Sequence, residues 1–125
     1  MSGNKYLLDT NFILGILRSN SDVLGLISSR QIQATECFYS SITRIELLGY
    51  QGITFEEEVM IRSKLAYLTY LPLTKEIEDA TIELRRLRKI KLPDAIIAAT
   101  SRSSGMELLT LDKHLLSVLN TLGSF

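Results

Sequence analysis

Four acidic residues, Asp9, Glu46, Asp94 and Asp112, stand where a carboxylate has chemistry to do. Asp9 ends the apolar run Tyr6-Leu7-Leu8 and precedes Thr10-Asn11, and Glu46 lies within Ile45-Glu46-Leu47-Leu48. Asp94 follows Leu92-Pro93 and opens Ala95-Ile96-Ile97-Ala98-Ala99, and Asp112 follows Leu108-Leu109-Thr110-Leu111. A carboxylate at the margin of an apolar core is costly to desolvate unless a cation or hydrogen-bond donors meet it. Four of them suggest one shared partner, a divalent cation with oxygen ligands. Carboxylates ~4 Å apart repel by about 1–4 kcal/mol per pair, depending on the effective dielectric, and Mg²⁺ or Mn²⁺ relieves that repulsion. Mg²⁺ held by one or two carboxylates, waters and a substrate phosphate suits activation of a water for in-line attack on a phosphodiester.

Each acid also has a plain reading. Asp9 and Asp112 can cap the helices that follow them. Glu46 can close a Thr43-x-x-Glu46 capping box, and Asp94 suits the first turn of a helix by its charge alone. Taken singly, none points to function; the order and the contexts of all four do.

The surrounding pattern predicts the elements that would carry them. Residues 5–8 read as a short buried strand, because the apolar run is continuous rather than alternating. Thr10 or Asn11 can cap a helix to about Arg18, and Ser21 a second helix with Val23, Leu24, Leu26 and Ile27 inward. Residues 35–39 suit a strand, and Ser40 or Ser41 starts a helix ended by Gly49 or Gly52. Thr54-x-x-Glu57 is a capping box for a helix to about Leu68, and Tyr70–Leu73 is a strand or extended link. Thr74 caps a helix to about Lys89 with a stripe of Ile77, Ala80, Leu84 and Leu87. Pro93 suits the first turn of a buried helix that stops at Gly105. Glu107–Thr110 reads as a strand, Asp112–Leu116 as a short helix and Val118–Phe125 as an edge strand.

Strands alternating with helices predict a parallel sheet covered on both faces, in one α/β domain spanning residues 1–125. The helices at 54–68 and 74–90 are expected to pair antiparallel at one side. Sites in such sheets gather outside the carboxyl ends of the strands. Asp9 and Asp112 directly follow strands, and Asp94 and Glu46 fall in the opening turns of helices, so all four can face one crevice.

Composition narrows the chemistry. Hydrophobic residues make up 46%, enough for a core, and no run approaches the roughly 20 apolar residues of a membrane span. Met1-Ser2-Gly3-Asn4-Lys5 lacks the layout of a signal peptide. The single cysteine, Cys37, excludes an internal disulfide and fits a reducing cytoplasm. A single histidine, His114, excludes multi-histidine metal sites, so chemistry must run on carboxylates. Net charge is zero, yet Arg85, Arg86, Arg88, Lys89 and Lys91 crowd residues 85–91. Such a run is often a solvated face, but it can also attract a phosphate backbone.

The segments Leu7-Leu8-Asp9-Thr10-Asn11, Ser40-Ser41-Ile42-Thr43-Arg44-Ile45-Glu46-Leu47-Leu48, Leu92-Pro93-Asp94-Ala95-Ile96-Ile97-Ala98-Ala99 and Leu109-Thr110-Leu111-Asp112 together resemble a PIN domain. Their order and spacing are similar to those of the VapC-like toxin ribonucleases of type II toxin–antitoxin pairs, over essentially the whole chain. The resemblance implies a three-layer α/β/α fold with a parallel sheet of four or five strands, and a Mg²⁺- or Mn²⁺-dependent endoribonuclease. It implies an RNA substrate, a VapB-like antitoxin that inserts a segment near the acidic pocket, and a homodimer. By motif position it carries the catalytic role to Asp9, Glu46, Asp94 and Asp112, with Asp9, Asp94 and Asp112 as metal ligands. Thr10, Asn11 and Thr110 fall on polar positions lining the pocket, and Arg85, Arg86, Arg88 and Lys89 are possible RNA contacts. One departure is the His114-Leu115 pair, where many relatives place an aspartate–phenylalanine pair; Leu115 can fill the apolar role.

Two other classes compete. One is an RNA- or protein-binding module that keeps the fold without turnover. The other is a small-molecule phosphohydrolase, disfavoured because Asn11 stands where an Asp-x-Asp nucleophile motif would need a second aspartate.

Overall fold

The computed structural model describes residues 4–122. Its centre is a four-stranded, all-parallel sheet in the order β3-β2-β1-β4, built from β1 (Tyr6–Leu8), β2 (Cys37–Ser40), β3 (Thr69–Leu71) and β4 (Glu107–Leu109). Among the described residues seven α-helices complete it: α1 (Thr10–Leu17), α2 (Ser21–Ser29), α3 (Ser41–Leu48), α4 (Phe55–Leu65), α5 (Lys75–Leu87), α6 (Leu92–Ser104) and α7 (Lys113–Leu122).

Successive side chains of a strand point to opposite faces, and β1 shows why the chain makes three layers. Tyr6 and Leu8 enter one core cluster, with Phe12 and Ile13 of α1, Val23 of α2, Leu47 of α3, and Ile61 and Leu65 of α4. Leu7 enters the other, with Leu84 of α5, Ala95, Ile97 and Ala98 of α6, and Leu115 and Val118 of α7. All three strand residues are buried, as the continuous apolar run requires. Leu7 is wholly buried; truncating such a leucine costs about 2–5 kcal/mol.

Several expectations need correction. α4 and α5 do not pair: Ile61 and Leu65 face one side of the sheet and Leu84 the other, and α5 packs chiefly on α6. The short strand β3 between them carries the chain across the sheet. On α5 the inward row is Ile77, Thr81 and Leu84, while Leu87 is 60% exposed, because the helix ends there and turns away. α4 stops at Leu65, short of Leu68. Residues 118–122, expected as an edge strand, continue α7; the rest of that segment lies outside the described residues. Val118 is buried on the helical face with Leu115, a three-residue spacing that a strand would break.

The caps also differ. α1 is capped by Asp9, not by Thr10 or Asn11, and α2 by Asn20, not by Ser21. Ser40, Thr54 and Thr74 cap α3, α4 and α5 as the sequence predicts, with the Thr54–Glu57 capping box closed. Gly105 ends α6 at φ 64°, the left-handed conformation that a glycine takes at little cost. Gly15 lets α1 and α2 touch: a Cβ there would lie 2.6 Å from Val23 Cγ2.

Candidate functional site

The strand order places the crevice. β1 lies between β2 and β4, and the helices leaving β1 and those leading into β4 cover opposite faces. The chain therefore diverges at the carboxyl ends of β1 and β4, a topological switch point. Asp9 immediately follows β1; Thr110 and Asp112 follow β4.

Asp9 is 6% exposed, and both of its oxygens are engaged. Oδ1 accepts from the Phe12 N–H at 2.7 Å, and Oδ2 accepts the Thr110 hydroxyl. Its own N–H donates to Leu109 O at 3.3 Å, tying the start of α1 to β4. Burial pushes the Asp9 carboxyl above its usual range; the Thr110 hydroxyl and the Phe12 N–H pull it down, and the Asp112 and Asp94 charges push it up. Burial and the two neighbouring carboxylates prevail, so the ionised form is held at a cost. The plain reading of Asp9 as a cap is correct, and it does not exclude a role in the candidate site.

The loop after β4 is held by a short ladder. Thr110 Oγ1 accepts from the Asp112 N–H at 3.0 Å, and Asp112 Oδ1 accepts from the His114 N–H at 2.9 Å and the Leu115 N–H at 3.2 Å. The second Asp112 oxygen makes no hydrogen bond to another described residue. His114 is exposed. Asp94 sits in the first turn of α6, which begins after Lys91 with Pro93 in its opening residues. Its carboxylate is half-buried and has no hydrogen-bond partner among the described residues.

Glu46 reaches the site by a different route. Thr10, next to Asp9, donates its hydroxyl to Glu46 Oε1 at 2.6 Å and shares a hydrogen bond at 3.1 Å with the hydroxyl of Thr43. Thr43 is wholly buried, and its N–H donates to Ser40 Oγ at 3.3 Å. Ser40, not Thr43, caps α3, so the Thr43-x-x-Glu46 capping box does not form. Sequence reasoning missed Thr43 as a member of this network. Its signal was the spacing Ser40-x-x-Thr43-x-x-Glu46, which sets three polar residues along one side of a helix.

Asp94 and Asp112 therefore both lie within electrostatic reach of Asp9, and Glu46 is tied to Thr10 beside it. Asn11 is exposed and makes no side-chain hydrogen bond to a described residue. Among the described residues no three acidic, histidine or cysteine side chains close into a metal cage. The donor set nevertheless suits a hard cation: its atoms are carboxylate and hydroxyl oxygens. Mg²⁺ keeps several waters and takes only one or two carboxylates directly, so a three-carboxylate cage is not required.

Beside Glu46 runs a groove of about 490 Å³ between α1, α3 and α4. Leu14, Leu17 and Met60 give it apolar lining; Thr10, Arg18, Glu46, Tyr50 and Glu57 give it polar lining, with the Tyr50 hydroxyl donating to Glu57 Oε2 at 2.6 Å. Cys37 is 4% exposed, with its thiol pushed up to about 11 by burial, and acts as a small core residue. No helix among the described residues is long and apolar enough to cross a membrane.

Comparison with known proteins agrees with this fold. The chain shares the fold of a toxin–antitoxin complex chain from Klebsiella pneumoniae, at 26% identity and TM-score 0.73 over 86% of this chain and 87% of that one. FitAcB from Neisseria gonorrhoeae matches at 24% identity and TM-score 0.75 over 92% and 93%. VapBC2 from Rickettsia felis, bound to a DNA fragment from its promoter, matches at 18% identity and TM-score 0.75 over the same shares. Among curated protein sequences none matches the chain. The PIN domain model matches residues 6–119, nearly every element from β1 to α7, and the chain therefore belongs to the PIN-domain family.

Proposed function

We propose that the protein is a metal-dependent endoribonuclease and the toxin of a toxin–antitoxin pair. PIN domains are in general metal-dependent ribonucleases. The observation that carries the reading is the buried Asp9 carboxylate, whose ionised form two further carboxylates, Asp94 and Asp112, make more costly. Asp9 and Asp112 also accept hydrogen bonds from the opening N–H groups of α1 and α7, but capping does not require three acids to share one crevice, and binding of a divalent cation would.

Asp9, Asp94 and Asp112 would hold Mg²⁺ or Mn²⁺, directly or through water, and Glu46 would complete the acidic edge. The metal would polarise the scissile phosphate and supply the hydrolytic water. Thr110 holds Asp9 in position, and Thr10 holds Glu46.

The antitoxin is assigned to the groove beside Glu46. Its apolar lining suits a segment with apolar side chains, and Glu46 in the lining suits a cation on that segment. A homodimer and a cytoplasmic location complete the reading. The open arrangement of the acids favours one rival, a binding module without turnover.

Expression in a bacterium separates the two. The nuclease reading predicts growth arrest with RNA fragmentation, both relieved by Asp94→Asn and by co-expression of a cognate antitoxin. Growth arrest that persists undiminished in Asp94→Asn would refute the site assignment.

A further inference from the structure

Lys91 breaks a local rule. It occupies the N-cap of α6, the helix that carries Asp94, and makes no side-chain capping hydrogen bond. Helix N-caps favour Ser, Thr, Asp or Asn, and a cation there opposes the positive end of the helix dipole. Arg88 and Lys89 precede it, after α5 has ended at Leu87, so the C-terminal dipole of α5 accounts for Arg85 and Arg86 in its last turn but not for Lys89 or Lys91. All five cations are exposed, and none makes an ion pair with a described residue. Ile90, 8% exposed, pins the linker into the core beneath α5 and α6, so Arg88, Lys89 and Lys91 are presented on a fixed segment. Exposed Leu87 and Leu92 flank them and offer apolar surface.

We infer that Arg88, Lys89 and Lys91, extended by Arg85 and Arg86, form a phosphate-holding strip that lays a single strand of RNA across the crevice toward Asp94. The inference rests on the nuclease reading for the identity of the polyanion. The strip lies at the start of α6, one helical turn from Asp94, and six residues from Arg88 to Asp94 span at most about 20 Å. Glu76, Glu78, Asp79 and Glu83 occupy the earlier turns of α5 and confine a polyanion to this end. A positive strip beside an acidic pocket does what the pocket alone cannot: it holds the phosphates flanking the scissile bond against the repulsion of the carboxylates. Such a residue can be kept at the expense of its own helix because its use lies in binding.

The test is binding of a fluorescein-labelled single-stranded RNA, read by anisotropy in EDTA over a range of KCl concentrations. For single strands the salt dependence is about 0.7 per phosphate neutralised. Removal of three contacts in Arg88→Gln/Lys89→Gln/Lys91→Asn should make the slope shallower by about 2 and weaken binding roughly a hundredfold at 0.1 M salt. Lys75→Gln, at the far end of α5, should leave the slope unchanged. Lys91→Asn alone should weaken binding while leaving Tm unchanged or higher, since asparagine is the better cap; a purely structural lysine would show no such split. An unchanged slope in the triple variant overturns the proposal, including the case in which the strip serves an acidic protein partner. Cleavage in Mg²⁺ is scored separately. Wild-type protein that binds through the strip but cuts nothing would overturn the nuclease reading and leave the strip standing.

Discussion

Replacing Thr110 by valine tests how the fold holds an ionised Asp9 in place. The substitution keeps the shape of a residue that is 7% exposed and removes one hydroxyl with two tasks: it donates to Asp9 Oδ2 and accepts from the Asp112 N–H. A hydrogen bond to a charged group contributes about 1.5–3 kcal/mol and a neutral one about 1, so the loss at neutral pH is roughly 3 kcal/mol. For a chain of this length that corresponds to a fall in Tm of roughly 10 °C. The pH dependence carries the argument. The Asp9 carboxyl already titrates above its unfolded value of 3.8, so the native state binds more protons than the unfolded one between the two values, and Asp9 lowers stability as pH rises through that window. The hydroxyl bond opposes this, and its removal raises the native value further. The Thr110→Val defect should therefore be largest near pH 8 and shrink as pH falls toward the unfolded value of 3.8, as Asp9 takes up its proton and the Asp112 contact alone is missed. Thermal unfolding of both proteins across that range measures it. A defect of equal size at both ends, or none, would refute the claim that Thr110 stabilises an ionised, desolvated Asp9.

Asp9→Asn keeps a good cap for α1 and removes the desolvated charge, so without metal its Tm at neutral pH should be no lower than wild type, while RNA cleavage is lost. Mg²⁺ should raise the wild-type Tm, by the equivalent of about 2.7 kcal/mol at a hundred times Kd, and more so at neutral than at acid pH; Asp9→Asn should abolish that shift in the same thermal scan. Thr43→Val removes a fully buried hydroxyl from the Thr10–Glu46 network; it should cost about 1 kcal/mol of stability and lower kcat for RNA more than it raises KM. Gly105→Ala meets no atom within 4 Å, so its cost is conformational alone, about 1–2 kcal/mol from the φ of 64°, with cleavage retained below Tm.

The elements that sequence reveals best are those whose signals are local. The continuous apolar run at Tyr6–Leu8 marks a strand buried on both faces, and Thr54-x-x-Glu57 and Thr74 mark helix starts because a cap and its partner lie within one turn. Long-range placement is less legible. Nothing within the sequences of α4 and α5 says that β3 carries the chain from one face of the sheet to the other, so their expected pairing failed. The end of α7 failed for a related reason: Val118 reads equally well as strand or helix until Leu115 is seen beside it in the core. At the site, the acids are legible because carboxylates next to apolar runs are costly. The link from Thr10 to Glu46 is not, since it joins residues 36 apart through a side-chain contact that only the fold creates. The double role of Asp9, cap and buried carboxylate, was visible in sequence only as two competing readings.

The most direct measurement is cleavage of a mixed RNA pool by purified protein in Mg²⁺ and in EDTA, with Asp94→Asn in parallel. Asp94 is half-buried and bonded to no described residue, so the variant should keep the wild-type Tm and lose only chemistry. Fragments are expected with Mg²⁺, none with EDTA and none from the variant. A folded variant that cuts as well as wild type, or wild-type cutting that survives EDTA, would contradict it.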